Sequence, residues 1–296
     1  MYRVWVPATT ANIGPGFDCL GIALDLYNYI EMEFSSRPLV EVFGEGQDYI
    51  ARDETNLVYR AAKRILDLAG ENRSLKITLR NNVPVARGLG SSAACIVGGM
   101  LAANRLTGDV VKLETLMRLA VEMEGHPDNV VPALVGGFCI SIMGEDKIIY
   151  RKTSLMKDLK FVVVTPDFHL STEKARQTLP STVRLKDAVF NISRTAMLVA
   201  SFYSRDLTQI SECFEDKVHQ PYRSPLVPGM DEVIKNANDR GAIGCFLSGA
   251  GPSVVGVSTE QNAEELGKYM CGVFTKNGIK STYRVLSACN EGSGFI

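Results

Sequence analysis

A glycine- and serine-rich segment, Gly88-Leu-Gly-Ser-Ser-Ala-Ala94, is the feature that most restricts how this chain can fold. The residues before it, 74–83, have the pattern of an extended strand, and the apolar residues from Ala93 to Leu106 follow it with helical spacing. The segment is therefore predicted to be a loop that opens a helix. Glycines allow a ligand to approach the backbone closely. Because the first amides of a helix are unpaired and carry the positive end of its dipole, the loop is a candidate phosphate-binding site.

Three other interpretations of this loop compete with phosphate binding. One is that Ser91 or Ser92 simply caps the helix, which is a common use of serine. A P-loop would require Gly-Lys-Ser/Thr, and no lysine lies here. The letters of residues 88–93 match a dinucleotide-binding fingerprint, but that motif needs an acidic residue about 20 positions later at a strand end. The candidates, Asp109 and Glu114, lie in a turn and in a helical stretch, so the oxidoreductase interpretation is poor.

Composition and charge exclude several classes of protein. The 296 residues, 46% of them hydrophobic, suffice for one large domain or two ordinary ones. With 32 basic and 33 acidic residues the net charge is −1, so no nucleic-acid partner is expected. No apolar run has transmembrane length, and the N-terminus has the pattern of a strand rather than a signal peptide. The seven cysteines form no CxxC pair, which predicts a reduced, cytoplasmic protein without a structural zinc site.

The order of predicted elements indicates an α+β protein with a boundary in the middle of the chain. Residues 3–6 are predicted to form a strand and residues 7–20 a loop, followed by paired strands over residues 22–34 and 39–43. A helix over residues 57–68 is capped by the polar residues 53–56. The apolar pattern lapses near residues 152–160, so we expect domains over residues 1–153 and 154–296. The second domain alternates strands with helices.

Two polar segments stand out as candidate site walls. In the predicted loop 7–20, Asn12 and Asp18 are interleaved with the apolar Phe17 and Leu20, a mixture that suits a pocket. Five polar residues crowd the turn over residues 122–129. Local evidence alone favours ordinary structural roles there, such as an exposed turn histidine and a solvated glutamate at a helix end.

Three separated patterns together resemble the motifs of the superfamily of galactokinases, homoserine kinases, mevalonate kinases and phosphomevalonate kinases (GHMP kinases). They are Pro7-Ala-x-x-Ala-Asn-x-Gly-x-Gly-Phe-Asp-x-Leu-Gly21, Pro84-x-x-x-Gly88-Leu-Gly-Ser-Ser-Ala-Ala94 and Ser248-Gly-Ala-Gly-Pro-Ser253. Within the superfamily, Glu124-Gly-His-Pro-Asp-Asn129 and His219-Gln-Pro-Tyr-Arg223 resemble the homoserine kinases. The resemblance extends from about Arg3 to Val285.

The resemblance implies a fold and an activity. The implied fold is α+β: a ribosomal-protein-S5-like N-terminal domain with a left-handed βαβ unit, an exception to the usual handedness, and a ferredoxin-like C-terminal domain. The site would lie in the cleft between them. The implied activity is ATP-dependent phosphorylation of the side-chain hydroxyl of L-homoserine, a step toward threonine. A homodimer is compatible with the sequence, which leaves the oligomeric state open.

Two alternative functions for the chain stay open. A mevalonate-type kinase acts on a substrate without an amine, so Asp18 would lose its purpose, and an aspartate base would be expected. A non-catalytic sensor of ATP and a metabolite would have no need for the magnesium ligands that the resemblance assigns to Ser92 and Glu124.

The resemblance also assigns the ATP and Mg²⁺ contacts. Ser92 and Glu124 are the implied Mg²⁺ ligands, and one glutamate with one serine is enough because magnesium keeps most of its waters. Glu122 is a nearby rival of Glu124. Asn56 matches a position that contacts adenine in relatives. The remaining implied nucleotide contacts are Val85, Ala86, Arg87, Gly88, Leu89, Gly90, Ser91, Ala93 and Ala94.

Homoserine is a small zwitterion, so its site needs charges of both signs. Arg223 and Arg176 are expected to hold the carboxylate with their planar guanidinium groups, and Asp18 is expected to bind the ammonium group. The other implied substrate contacts are Asn12, His126, Asn129 and Gly249. Several relatives have an aspartate base near the position of Asn129, but an amide cannot accept the proton. We therefore expect direct attack, with the proton leaving through the γ-phosphate or solvent. Asp128, at the next helical position, is expected to point away from the site. Two roles for His126 stay open: it takes the proton as a base, or it only orients the substrate, and we favour the second.

Overall fold

A computed structural model describes all 296 residues, which form two sheets and the helices packed on them. The elements of the first half are β1 (Tyr2–Ala11), β2 (Leu20–Ser35), β3 (Leu39–Gly44), α1 (Leu57–Leu68), β4 (Ser74–Asn81), α2 (Ser91–Leu106), α3 (Leu113–Glu124), α4 (Pro127–Val135), β5 (Phe138–Met143) and β6 (Ile148–Thr153). Those of the second half are β7 (Leu159–Pro166), α5 (Thr172–Gln177), α6 (Leu185–Ser204), α7 (Gln220–Arg223), α8 (Met230–Asn236), β8 (Ala242–Leu247), β9 (Val254–Thr259), α9 (Glu260–Lys276), β10 (Ser281–Ser287) and β11 (Gly294–Phe295).

The first sheet contains seven strands and carries α1 to α4 on one face. Its main path is β11-β1-β2-β4-β3, and β5 pairs with β2 and with β6. The only parallel pair in it is β3 with β4, joined by α1, which makes the βαβ unit. A core of 33 buried residues fills the space between this sheet and the four helices. Helix α1 buries one apolar face, which includes Val58, Ile65 and Leu66, against the sheet.

Two predictions about the first strands are wrong. Residues 7–11 belong to β1 rather than to a loop, because Ala8–Ala11 continue the antiparallel pairing with β2 after a register shift at Pro7. A shift of this kind accommodates proline, which has no N–H to donate to the ladder. In addition, β3 pairs with β4 and not with β2.

The second sheet has four antiparallel strands in the order β10-β7-β9-β8. Numbered by their own sequence this order is 4-1-3-2, the ferredoxin-like arrangement that the resemblance implies. Helix α9 packs on one face of the sheet in a core of 17 buried residues. The other face and α6 contribute to a core of 21 buried residues that also contains Leu20, Ile22 and Phe138 from the first half.

The two halves are therefore joined by a shared apolar core. The chain also returns at its end to the first sheet, where β11 pairs with β1. The division at residue 153 stays a prediction, with β6 ending at Thr153 and β7 beginning at Leu159. None of the helices combines the length and the apolar content that crossing a lipid bilayer requires. All seven cysteines are free.

Candidate active site

The glycine- and serine-rich segment does form a loop that opens a helix. Helix α2 begins at Ser91, and its N-cap is Gly90, in a left-handed conformation with φ of 65°. No side chain caps the helix, so the interpretation of Ser91 or Ser92 as a cap is wrong. A β-carbon at Gly90 would lie 1.9 Å from the Thr9 hydroxyl, which explains why glycine stands here. The first amides of α2 are consequently left without side-chain partners at the N-terminus, where the helix dipole is positive.

The loop lies between the two halves of the chain, which hold it from both sides. The Thr9 amide on β1 donates to the Leu89 carbonyl at 3.1 Å. From the second half, the Ser248 hydroxyl donates to the Gly88 carbonyl at 2.5 Å, and the Ser253 amide donates to the Arg87 carbonyl at 3.2 Å. The turn over residues 248–253 therefore fixes the course of the loop.

A cleft opens directly on this loop, and most of the predicted site residues line it. Those that line it are Asn12, Asp18, Ala86, Arg87, Gly88, Leu89, Gly90, Ser91, Ser92, Glu124, His126, Asn129, Arg176, Arg223 and Gly249. Four predicted nucleotide contacts do not line it: Asn56, Val85, Ala93 and Ala94. Ala93 and Ala94 are buried in the core beneath α2. The Asn56 side chain is engaged in capping α1, where it accepts from the Val58 amide at 2.9 Å and donates to the Ala51 carbonyl at 2.7 Å.

Ser92 and Glu124 lie side by side at the N-terminal end of α2. The Ser92 hydroxyl donates to the Glu124 carboxylate at 2.7 Å. Burial raises the pKa of Glu124, although the Ser92 hydrogen bond and the nearby His126 partly oppose the shift. The rival carboxylate, Glu122, faces outward on α3 and forms ion pairs with Arg64 and Arg118. Only Glu124 of the two therefore presents an oxygen ligand to the cleft.

A chain of hydrogen bonds crosses the floor of the cleft. The Thr9 hydroxyl donates to Asn129 Oδ1 at 2.7 Å, and Asn129 Nδ2 donates to Asp128 Oδ1 at 3.1 Å. His126 Nδ1 lies 2.7 Å from the same Asp128 oxygen. The prediction that Asp128 points away from the site is wrong. Because side chains in the first turn of a helix tilt toward its N-terminus, both Asp128 and Asn129 of α4 reach the cleft.

The electrostatic surroundings of His126 favour its protonated form. Burial by itself lowers the pKa of His126, but the hydrogen bond to Asp128 and the charges of Asp128, Glu124 and Asp18 outweigh it, so the pKa is raised overall. The Asp128 contact also orients the ring, since Nδ1 donates to the carboxylate and Nε2 is left for another partner. His126 is thus a hydrogen-bond donor held at a fixed angle, and not the exposed histidine that local evidence favours.

Asp18 and Arg176 form a two-pronged ion pair close to His126 and Asp128, because one side-chain atom of Asp18 lies within 4.8 Å of one from each of those two residues. Arg176 Nη2 and Nη1 lie 2.7 and 3.1 Å from the two carboxylate oxygens of Asp18. Asp18 follows β1 and Arg176 lies on α5, so the pair joins the two halves of the chain. We expected Asp18 to bind the ammonium group of a zwitterion and Arg176 to bind its carboxylate. In the structure the two side chains pair with each other.

Arg223 is buried beside this pair, with 2% of its surface exposed. Its Nη1 donates to the Gly249 carbonyl at 2.9 Å and lies 3.2 Å from His219 Nδ1. His219 Nε2 lies 2.7 Å from the Gly14 carbonyl. Nε2 must therefore be the protonated nitrogen, which leaves Nδ1 as an acceptor for Arg223. Burial and the Arg223 charge accordingly lower the pKa of His219, despite the opposing charge of Asp216.

The charge of Arg223 persists at neutral pH. Burial, together with the charge of Arg176, lowers the pKa of Arg223 to about 10. Both arginines contact the Phe17 ring, whose centre is 5.5 Å from the Arg176 guanidinium carbon and 5.3 Å from that of Arg223. Phe17 also stacks on His219 at 5.2 Å. The aromatic ring therefore holds two cations close together in the same wall.

The loop that carries Asn12 and Asp18 is conformationally strained. Asn12, Ile13 and Asp18 have φ values of 68°, 50° and 54°, which side chains other than glycine rarely adopt. The Asn12 side chain holds the loop in this shape by donating to the Gly249 carbonyl at 2.9 Å and accepting from the Asp18 amide at 3.0 Å. Strain of this kind is characteristic of binding sites, where surrounding contacts fix side chains at defined positions.

Several residues of the cleft were not predicted from the sequence. Thr9 orients Asn129, and the remaining cleft residues without a prediction include Leu170, Thr172, Ala250 and Gly251. Ala250 and Gly251 fall within the Ser248–Ser253 motif, which could have indicated them. Nothing in the local sequence marks Leu170 or Thr172.

Comparison with known proteins identifies the family. The GHMP kinases N-terminal domain matches residues 56–137, and the GHMP kinases C-terminal domain matches residues 198–276. Homoserine kinase of Petrotoga mobilis is 47% identical over 99% of this chain and 95% of its own length, and that of Moorella thermoacetica is 44% identical over 100% of both. The crystal structure of homoserine kinase from Cytophaga hutchinsonii superposes with a TM-score of 0.90 at 33% identity, over 100% of this chain and 97% of that one. This chain belongs to the GHMP kinase family, within its group of homoserine kinases.

Proposed function

We propose that this chain transfers the γ-phosphoryl group of ATP to the side-chain hydroxyl of L-homoserine, a step toward threonine. One juxtaposition carries the proposal: an anion-binding helix N-terminus and a cluster of both charge signs, Asp18 with Arg176 and Arg223, line the same cleft. The first suits the phosphates of a nucleotide and the second suits a small amino acid. The relatives named homoserine kinase support the same substrate.

The loop over residues 88–91 would bind the phosphates of ATP through its amides and the α2 dipole. No side chain competes for these amides at the helix start. Arg87 is already paired with the Pro166 carbonyl and with Asp167, so it supports the loop more than it contacts phosphate. Asn56, whose side chain caps α1, would have to contact adenine through atoms left free by that cap.

The donor set at Ser92 and Glu124 fits a magnesium ion. Magnesium prefers hard oxygen ligands and takes few of them from the protein, and a hydroxyl and a carboxylate lie 2.7 Å apart beside the phosphate-binding amides. Bound Mg²⁺ would neutralise phosphate charge during transfer. Burial raises the pKa of Glu124, and a bound cation would favour the charged carboxylate.

The homoserine zwitterion would be bound by replacing the ion pair between Asp18 and Arg176. Its ammonium group takes the place of Arg176 beside Asp18, and its carboxylate takes the place of Asp18 beside Arg176 and Arg223. Both prongs of the existing pair lie within hydrogen-bond distance, so the groups that exchange are already aligned. Asn12 and Gly249 shape the wall behind them.

The hydroxyl end of homoserine would then lie toward His126 and Asn129. The hydroxyl oxygen forms the new bond to the γ-phosphorus while the bond from that phosphorus to the β-phosphate oxygen breaks. Neither residue is arranged as a base: Asn129 is an amide, and the raised pKa of His126 favours its cationic form. The hydroxyl proton therefore leaves late to a γ-phosphate oxygen or to solvent, which a dissociative transition state tolerates. His126 and Asn129 orient the attacking oxygen.

The test is ATP turnover with a panel of small alcohols. L-homoserine should be phosphorylated with the highest kcat/KM, followed distantly by homoserine analogues, while mevalonate and an NAD(P)H control give no reaction. Product identity is checked by phosphorus NMR. Absence of ATP turnover with every alcohol, together with tight binding of ATP, would instead indicate a sensor. We also infer that the protein is cytoplasmic, in keeping with its seven free cysteines.

A further inference from the structure

Thr9 of β1 contacts both the glycine- and serine-rich loop and Asn129 from behind the lining of the cleft. Its amide donates to the Leu89 carbonyl at 3.1 Å, and its hydroxyl donates to Asn129 Oδ1 at 2.7 Å. Thr9 is 0% exposed. Because a β-branched side chain in a strand has few rotamers, the backbone of β1 sets the direction of this hydroxyl.

The side-chain amide of Asn129 can adopt only one of its two orientations. Its Nδ2 donates to Asp128 Oδ1 at 3.1 Å, and the same oxygen accepts from His126 Nδ1 at 2.7 Å. If the amide were turned over, its oxygen would face that carboxylate oxygen, and two acceptors would be in contact. The Thr9 hydroxyl favours the same orientation from the other side, because it donates its single proton to Oδ1. Asp128 and Thr9 therefore hold the amide between them.

The start of α2 packs directly against this pair. A β-carbon at Gly90 would lie 1.9 Å from the Thr9 hydroxyl and 3.0 Å from Asn129 Oδ1. Glycine at this position therefore lets the backbone of the loop approach both side chains closely. The oxygen of the Asn129 amide is thus enclosed by Thr9 and by the N-cap of α2, where the proposed phosphate site begins.

The fixed orientation decides which group Asn129 offers to a substrate. Its oxygen is paired with Thr9, whereas Nδ2 carries two hydrogens and donates one of them to Asp128. Because Asn129 lines the cleft, the second N–H is the group left for a substrate hydroxyl. A hydroxyl oxygen that accepts from this N–H keeps its own proton free to point toward a γ-phosphate oxygen.

We propose that Thr9 is a positioning residue for the phosphoryl transfer: its hydroxyl holds the Asn129 amide so that an N–H, and not the oxygen, contacts the attacking hydroxyl of the substrate. Thr9 does not line the cleft and therefore acts through Asn129. The inference rests on the proposed function. A wild type that does not phosphorylate homoserine would refute that function, whereas with an active wild type the Thr9 variants test the positioning role alone.

Steady-state kinetics of Thr9→Val is the first test, because valine keeps the shape and the backbone N–H of threonine and lacks the donor. We expect kcat to fall roughly 10- to 100-fold, since a misplacement of about 1 Å can cost that much. The KM for homoserine should change little, because Asp18 and the two arginines bind its charged groups. The KM for ATP should also change little, because the hydrogen bond from the Thr9 amide to Leu89 remains. Thr9→Ser restores the donor and should recover most of the wild-type kcat.

Ser258→Ala is the matched control for the loss of a buried hydroxyl. Ser258 is 0% exposed in the second sheet and donates to the Gly241 carbonyl at 2.9 Å. Its kcat should equal that of the wild type. Thr9→Ala also lacks the hydroxyl and replaces Thr9→Val if thermal melting shows that the valine variant does not fold. A hydroxyl-free variant with the wild-type kcat, or a Thr9→Ser variant as slow as Thr9→Val, would overturn the proposal. So would a raised ATP KM with an unchanged kcat, because Thr9 would then only support the loop.

A double-mutant cycle with Asn129→Ala tests whether Thr9 acts through that amide. Substitutions within one hydrogen-bond network are not additive. In the Asn129→Ala background, Thr9→Val should therefore have almost no further effect on kcat/KM for homoserine. The full loss in that background would show that Thr9 acts independently of Asn129 and would contradict the proposal. If the turnover of Asn129→Ala is too slow to measure, the comparison of Thr9→Val with Thr9→Ser decides alone.

Discussion

Asp18 and Arg176, which are 158 residues apart in the chain, form a two-pronged ion pair in the lining of the cleft. Their side chains are each about one third exposed, so solvent screens the pair and it adds little to stability. The pair matters for the proposed substrate, because a zwitterionic amino acid also carries one negative and one positive group. The cleft thus carries one negative and one positive group, as the zwitterionic substrate that we propose does.

We expect Asp18→Asn to raise the KM for homoserine and to leave the KM for ATP almost unchanged. The lost contact is a charge-assisted hydrogen bond worth about 1.5–3 kcal/mol, or roughly 10- to 150-fold in kcat/KM. A sharper readout is 4-hydroxybutanoate, which is homoserine without the amine. Wild-type protein should prefer homoserine strongly, and Asp18→Asn should lose most of that preference. If the variant discriminated as well as the wild type, Asp18 would not bind the ammonium group.

Ser92→Ala and Glu124→Gln should lower kcat far more than they weaken homoserine binding. In the proposed reaction both side chains act on charge that develops at the phosphates, so each substitution should cost on the order of 2–4 kcal/mol of transition-state stabilisation. Steady-state kinetics at saturating Mg²⁺ measures the effect. Glu122→Gln is the matched control, because Glu122 lies two residues before Glu124 on α3 and forms its ion pairs outside the cleft. A near-normal kcat for Glu124→Gln with an inactive Glu122→Gln would reverse the assignment.

Arg223→Lys should behave as a severe substitution and not as a conservative one. The guanidinium donates to the Gly249 carbonyl and to His219 while it faces the cleft, and a lysine ammonium cannot reach these directions together. The homoserine KM should rise by more than about tenfold, while the ATP KM changes little. Lys217→Arg, at an exposed position of the same segment, checks that cation exchange alone has no effect. Equal changes in both KM values would place Arg223 on the phosphates.

Local signals in the sequence were sufficient for much of the fold and for the glycine- and serine-rich loop. Two local signals fix where helices begin: the glycine and serine residues of 88–92 and the polar cap at 53–56. The starts of α1 and α2 accordingly fall within two residues of the prediction. The pairing of β3 was not determined locally. It required the crossover through α1 that brings β4 alongside in parallel, which no short stretch of sequence specifies.

The same distinction separates the predicted site residues from the missed ones. Motif resemblance indicated Ser92 and Glu124, which the structure brings within 2.7 Å. The position of Asp128 depends on the extended conformation of His126 immediately before α4, and this conformation aims the first turn of the helix into the cleft. The pairing of Asp18 with Arg176 depends on how the two halves meet. Contacts that tertiary packing creates between distant segments cannot be predicted from spacing.

His126 gives the prediction that decides between two routes for the hydroxyl proton. Its pKa is raised, so its cationic form persists to higher pH than that of a free histidine. If the cation orients the substrate, kcat/KM for homoserine should fall as pH rises through this pKa, because the proton that makes His126 a donor is lost. His126→Gln, which keeps a donor, should then retain kcat within about tenfold of the wild type, show most of its loss in the homoserine KM, and lack that alkaline limb.

A general base would give the opposite sign, since activity would fall as pH drops through the pKa and the base becomes protonated. An acid limb that disappears in His126→Gln, together with a loss of kcat approaching about 10⁴-fold, would make His126 the base. Asp128→Asn separates the cases further, because removing the carboxylate that raises the His126 pKa should move the limb to lower pH.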